Sequence, residues 1–196
     1  AAAARVTLSV KDEAGRPTTG SFLIRDARDR IYPSPFKRLA PDFFFQPQVY
    51  RADGETLTLA PGRYRIEFGR GPESVRETRD VTIGSGGQTL AFQVKRWIDP
   101  AAFGYISGDH HIHGAGCAHY TTPSLGVYPA DIARQVAGED LKVGAVLTWG
   151  PGFDFQKKFF SGGEDAASAP GHILRYDIEV SGFGSYRTGH LCLLRL

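Results

Sequence analysis

The sequence predicts a mixed β and α/β chain, a β-sandwich followed by an α/β unit, and three observations carry that prediction. Short alternating strands broken by glycine and proline turns fill residues 1–96. After Arg96-Trp97-Ile98-Asp99-Pro100 the pattern changes to a helical period and a continuous apolar run. Beyond that change stands Gly108-Asp109-His110-His111-Ile112-His113, two imidazoles two residues apart behind an acidic residue.

The first strand is read from the alternation of Val6, Leu8 and Val10, and Asp12 to Pro17 supplies the turn chemistry that leads into Phe22-Leu23-Ile24. Asp53-Gly54 and Pro61-Gly62 bracket Thr56 to Leu59. Tyr64, Ile66 and Phe68 then alternate with Arg63, Arg65 and Glu67, and Leu90, Phe92 and Val94 follow the Gly84 to Gly87 turn. Regularly spaced short strands of this kind indicate a sandwich of immunoglobulin-like size. Ile31 to Tyr50 interrupts the rhythm with four prolines and the run Phe43-Phe44-Phe45. It reads either as a ligand platform or as a long loop folded onto the second domain, because each exposed phenylalanine forgoes roughly 1.5–3 kcal/mol of burial.

In the second half, Pro129 in a first turn, Asp131 near the N-terminus, Ile132 and Val136 four apart, and a closing Gly138 predict a short helix. Val143 to Leu147 reads as a strand covered on both faces of a parallel sheet. A histidine strand, a helix and a buried strand in that order make a βαβ unit with its ligands at the strand ends. Two further strands follow, in 173–183 and 188–196. The first alternates Tyr176, Ile178 and Val180 with Asp177, Glu179 and Ser181, and the second places His190 and Cys192 on one face. The expected boundary lies near Trp97 to Phe103, giving a sandwich over 1–96 that folds alone and an α/β domain over 97–196.

Composition narrows the function. Lys and Arg number 23 against 21 Asp and Glu, a net charge of +2 with no basic run, so nothing suggests a nucleic-acid surface. No apolar stretch is long enough for a membrane span. The alanine start and the absence of methionine suggest a processed chain, and a periplasmic or secreted location is the expectation. Cys117 and Cys192 are free thiols, one bridge, or a soft ligand near the histidines. A glycine-rich phosphate loop, a Ser/His/Asp pattern and a carboxylate pair are all lacking, which argues against nucleotide-dependent, serine-hydrolase and glycosidase chemistry.

In an extended strand Asp109, His111 and His113 share one face and His110 and Ile112 take the other. Neutral imidazole is a common metal donor, and a neighbouring carboxylate ligates or orients the ring. The alternative is a chance polar cluster. Glu179 is a carboxylate on an otherwise interior strand and needs a cation or donors. His190 alone reads as a hydrogen-bonded core histidine; with His111, His113 and Glu179 it completes a mixed nitrogen and oxygen set that does not select among zinc, manganese and iron.

Taken in order, Trp97 to His113, Gly116-Cys117-Ala118-His119-Tyr120, Val146 to Gly150, Tyr176 to Ser181 and Thr188-Gly189-His190-Leu191 resemble the CehA/McbA-type metallohydrolases of the PHP (polymerase and histidinol phosphatase) superfamily. The preceding sandwich is similar to carboxypeptidase-regulatory-like domains. The resemblance implies that residues 97–196 form the first part of a distorted PHP-type (β/α)7 barrel, with metal ligands at His111, His113, Glu179 and His190. It implies a metal-activated water attacking a small-molecule phosphoester, ester, amide or carbamate, with Asp109 orienting a ligand or accepting a proton. The alternative is a catalytically inactive subunit of a larger assembly that keeps the fold and one metal.

Departures from that pattern are visible. Thr148-Trp149-Gly150 stands where the family has Thr-Asp-His, and Cys117 or His119 stands where an acidic residue is usual. His110 and His172 read as bystanders. One hundred residues are too few for a closed barrel of roughly 200 or more, so the rest of the barrel or another subunit is expected to pack on 97–196, with Phe43 to Phe45 and Phe159-Phe160 as candidate contacts.

Overall fold

A computed structural model describes residues 2–116, 125–181 and 185–196. The chain divides into two compact units, one of Ala1–Phe103 with Gly138–Asp140, the other of Gly104–Ala137 with Leu141–Leu196.

The first unit is a sandwich of two sheets. In one, β1 (Ala4–Lys11) lies between β5 (Thr56–Leu59), antiparallel to it, and β8 (Gln88–Gln93), parallel to it. The other runs β3 (Ile31–Tyr32), β2 (Thr19–Asp26), β6 (Gly62–Gly69), β7 (Glu77–Ile83), and β4 (Val49–Ala52) also pairs with β2. The alternating residues of β1, β2, β6 and β8 point inward and meet: Phe22, Phe68 and Phe92 sit with ring centroids 5.1 Å apart in each pair. Such offset and edge contacts add to the burial of three fully enclosed rings. Asp140, 2% exposed, belongs to this unit and accepts Arg70 at 2.9 Å and Arg96 at 2.6 Å.

The loop between β3 and β4 organises itself around Arg38. Its guanidinium donates to the carbonyls of Pro33 at 3.0 Å, Pro47 at 2.9 Å and Gln48 at 3.1 Å, and also to Gln46. Backbone carbonyls that no strand satisfies thus find a donor. Phe43 stacks on Phe45 at 5.5 Å, and Phe44 meets Phe45 edge-on, so the aromatic run covers part of itself.

The second unit holds one sheet in the order β12 (Leu191–Leu193), β11 (Ile173–Val180), β10 (Val143–Thr148), β9 (Gly108–Ile112). The first three strands in chain order are parallel and β12 is antiparallel. Helix α1 (Pro129–Gly138) connects β9 to β10 and buries Ile132 and Val136. Gly144 permits the close approach: a Cβ there would lie 2.6 Å from Val136 Cγ2. The same face is extended by Phe155 of α2 (Phe153–Gln156) with Tyr128, Phe159 and Tyr176, whose ring centroids lie 5.3–6.0 Å apart in successive pairs. Phe159, expected as an interface residue, is therefore part of this cluster.

The expected first part of a (β/α)7 barrel is not what the chain forms. The structure is 42% strand and 16% helix, and among the described residues only α1 exceeds two turns. Residues 150–172 are rich in glycine and give single turns where a barrel needs a covering helix. Between β11 and β12 only residues 181–190 intervene, with α3 (Ser185–Thr188) as one turn. A parallel return needs a crossover of about a dozen residues or more, so β12 comes back antiparallel. Its Leu191 is 60% exposed, not covered on both faces as a barrel strand would be.

Candidate metal centre

The face of β10 and β11 opposite α1 carries the polar residues. Register pairs Val143 with Ile173, Ala145 with Arg175 and Leu147 with Asp177, and Glu179 continues the same alternation. On β9 the alternation is broken. Asp109 pairs with Gly144 and Ile112 with Val146, so His110 and His111 together oppose Ala145 in a bulge. Such a bulge re-aims the side chains that follow it. The Asp109 carboxylate closes it, Oδ1 accepting the backbone N–H of His111 at 2.9 Å. Register before the bulge already sets His110 on this face, at the wall of a cleft, and the extra residue of the bulge carries His113 to the same face.

Three donors converge beyond the bulge. His111 Nε2 and His113 Nε2 are 3.0 Å apart, and Glu179 Oε2 lies 2.9 Å from the second and 3.4 Å from the first. A ligand atom from each of the three residues falls within 4.8 Å of the others. His190 Nδ1 bonds the other carboxylate oxygen of Glu179, so the fourth expected residue borders the group through the carboxylate. Cys192 pairs in register with Glu179 and sets its sulfur 3.7 Å from His111 Nδ1. Cys117 and His119 lie outside the described residues.

Glu179 has a fully enclosed side chain. Burial alone would raise its pKa, but hydrogen bonds from His190 and His113, with the charge of His113 and His111, outweigh this and hold the carboxyl below the ordinary glutamate value. The three ring groups are more open, with side-chain exposures of 41%, 27% and 42% for His111, His113 and His190. The acidic anchor is thus inside and the imidazoles face outward.

Trp149 takes a part that spacing did not foretell. Its indole stacks on His113, centroids 4.8 Å apart and 22° from parallel, while its N–H donates to the Ala115 carbonyl at 3.0 Å. The residue at the aspartate position of the family's Thr-Asp-His is a flat wall that fixes the His113 ring. Its place directly after a buried strand was the available signal. His172 Nδ1 donates to the Leu141 carbonyl, 2.7 Å away, and stands apart from the group.

The donors suit a divalent cation by geometry. Bonds of about 2.0–2.1 Å arranged tetrahedrally put ligand atoms about 3.3–3.4 Å apart, and octahedrally about 3.0 Å. The observed separations of 2.9, 3.0 and 3.4 Å span that range.

No family model matches the chain, and no curated protein matches it. Among solved structures, part of the chain is similar to the major pilin subunit of Bacillus cereus, at 14% identity over 48% of this chain and a TM-score of 0.33. The match covers 30% of the pilin chain, so this chain spans less than a third of its length. The expected membership of the PHP superfamily is overturned by the fold: the second unit is an open four-stranded mixed sheet with one helix of more than two turns among the described residues, not a barrel. No helix of the described residues is long and apolar enough to cross a membrane, which leaves β-barrels unaddressed.

Proposed function

We propose that the second unit binds one divalent metal ion through His111, His113 and Glu179 and uses it to hydrolyse an ester, phosphoester or amide. The convergence of two Nε2 atoms and one carboxylate oxygen within 2.9–3.4 Å of one another is the observation that supports this reading. Structural zinc sites close with four protein donors, whereas catalytic ones keep three and leave a position for water. Two nitrogens and one oxygen on a half-open face match the second pattern. When bound, the ion supplies a water of lowered pKa and an electrophile for the substrate oxygen.

The chain's own residues divide the remaining work. Glu179 provides the negative charge from a water-excluded position. Trp149 and the Ala115 carbonyl hold the His113 ring, and Asp109, the expected catalytic carboxylate, positions His111 by capping its backbone N–H in the bulge. His190 hydrogen-bonds Glu179 and stands close enough to act on a group bound nearby. Zinc, manganese and iron all suit this donor set.

The test is a titration of the chelator-treated chain with each ion, followed by turnover assays on simple esters and phosphoesters. One equivalent bound per chain and metal-dependent turnover are expected. Binding without turnover on any of these substrates would favour an inactive metal-holding subunit, and failure to bind any of the three ions would defeat the reading outright.

A further inference from the structure

The open face of the second unit also holds a cleft of about 610 Å³, a volume inside the range of about 300–1,000 Å³ common for small-molecule sites. Val143, Ala145 and Ile173 give it an aliphatic floor, and Ile106 and Leu194, 69% and 45% exposed, form part of its rim. It is placed with respect to the metal cluster by the strands themselves. Ala145 and Asp177 line the cleft, and two residues further along the same face stand Leu147 and Glu179. Two residues of strand advance about 7 Å, so the cleft begins one pleat repeat from Glu179.

Its charged groups are of mixed sign and close to balance. The carboxylates of Glu164 and Asp177 and the guanidiniums of Arg175 and Arg195 line it beside His110, while Asp109 borders it with its carboxylate engaged by the His111 N–H. Arg175 is already engaged, donating to the Leu196 carbonyl at 3.1 Å and lying 3.9 Å from Asp177. Asp177 accepts the Arg195 backbone N–H at 3.0 Å and lies beside Arg175, so these charged groups answer one another and the surface left to a ligand is the aliphatic floor. An apolar group would cover the floor and displace water from it.

We propose that this cleft seats the uncharged, apolar tail of a carboxylic ester or amide whose scissile carbonyl lies at the His111, His113 and Glu179 cluster. The inference rests on the hydrolase reading above and narrows its substrate class. A span of about 7 Å corresponds to an acyl chain of four or more carbons, or a phenyl ring on a short linker. Acetyl groups are too short to reach the floor.

Direct binding to the metal-free 196-residue chain tests the cleft apart from catalysis. 4-Phenylbutanamide and phenyl phosphate serve as probes, read by calorimetry and by amide shifts in nuclear magnetic resonance. The amide is expected to bind and to shift residues of the cleft, phenyl phosphate to bind at least tenfold more weakly. Ile106→Glu, at an exposed rim position, and Ala145→Phe, which fills the floor, should each weaken amide binding about tenfold. No amide binding, tighter binding of the phosphate, or amide binding unchanged by Ile106→Glu would overturn the assignment. With metal added, the ratio of kcat/KM for the p-nitrophenyl hexanoate over the acetate should exceed ten and fall toward one in Ile106→Glu at unchanged metal affinity. Amide binding in the cleft without turnover of either ester would fault the hydrolase reading while the apolar ligand site stands.

Discussion

The sandwich and the second sheet solve the same burial problem in different ways. In the first unit two sheets cover each other, and Leu8, Phe22, Ile66 and Phe92 are all at most 2% exposed. In the second, α1 and an aromatic cluster cover one face of β10 and β11, while the other face carries Arg175, Asp177 and Glu179 beside the histidines of β9. A sheet face left without a partner layer must be lined by groups that tolerate water or hold one another. Here that face is part aliphatic and part ionisable, and the ionisable part, Asp177 and Glu179 with Arg175 and the histidines, is the site.

The largest expected effect separates the two regions completely. Replacing His111 and His113 together with alanine should abolish metal binding, read as metal content per chain, and with it the stabilisation on adding ion, about 2.7 kcal/mol at a hundredfold excess over Kd and read as a rise in Tm. Retained metal would mean that the donors lie elsewhere. Phe22→Ala attacks the other region: loss of a fully buried ring that contacts Phe68 and Phe92 should cost about 3–5 kcal/mol in denaturant unfolding, with metal stoichiometry unchanged. A change in stoichiometry would show the contrast between core and site to be less clean than drawn.

Smaller effects sharpen the picture. Arg38→Ala leaves several loop carbonyls without their donor and should destabilise the first unit by about 1–3 kcal/mol, with faster amide exchange confined largely to 33–48. Uniform loss of protection would instead make Arg38 part of the core. Trp149→Ala should weaken metal affinity about tenfold, as loss of a ring-positioning neighbour does, and Trp149→Phe should restore most of it through stacking alone. Equal affinities in all three proteins would remove Trp149 from the site.

Much of the sandwich was legible because period-two alternation is a local signal: Val6, Leu8 and Val10 of β1 and Tyr64, Ile66 and Phe68 of β6 point inward as their pattern says. The strands of the first unit that escaped reading are β3, β4 and β7. β7 offers only two apolar residues, the buried Ile83 and the partly buried Val81, so pairing with β6 rather than its own pattern makes it a strand. Helix α1 carried caps and a period of its own and lies where these place it. The direction of β12 carried no local signal, and reading it as part of a barrel failed because the short connection, not the strand's composition, decides its sense.

For the site, residue chemistry and strand alternation singled out His111, His113, Glu179 and His190, and only tertiary structure set their distances. Alternation put Asp109 and His113 on one face and His110 on the other, whereas His110 shares the face of His113, because a bulge adds a residue that no period of two contains. Trp149 was visible as a residue and invisible as a neighbour of His113, since the contact joins positions 36 apart. By itself the sequence determined which segments extend, which segment coils and which side chains can donate to a metal, for these depend on the residue and its near neighbours. Tertiary structure decided strand order, the sense of the last strand, the bulge and the convergence of three donors, because each depends on which distant segments share hydrogen bonds and how long a chain joins them.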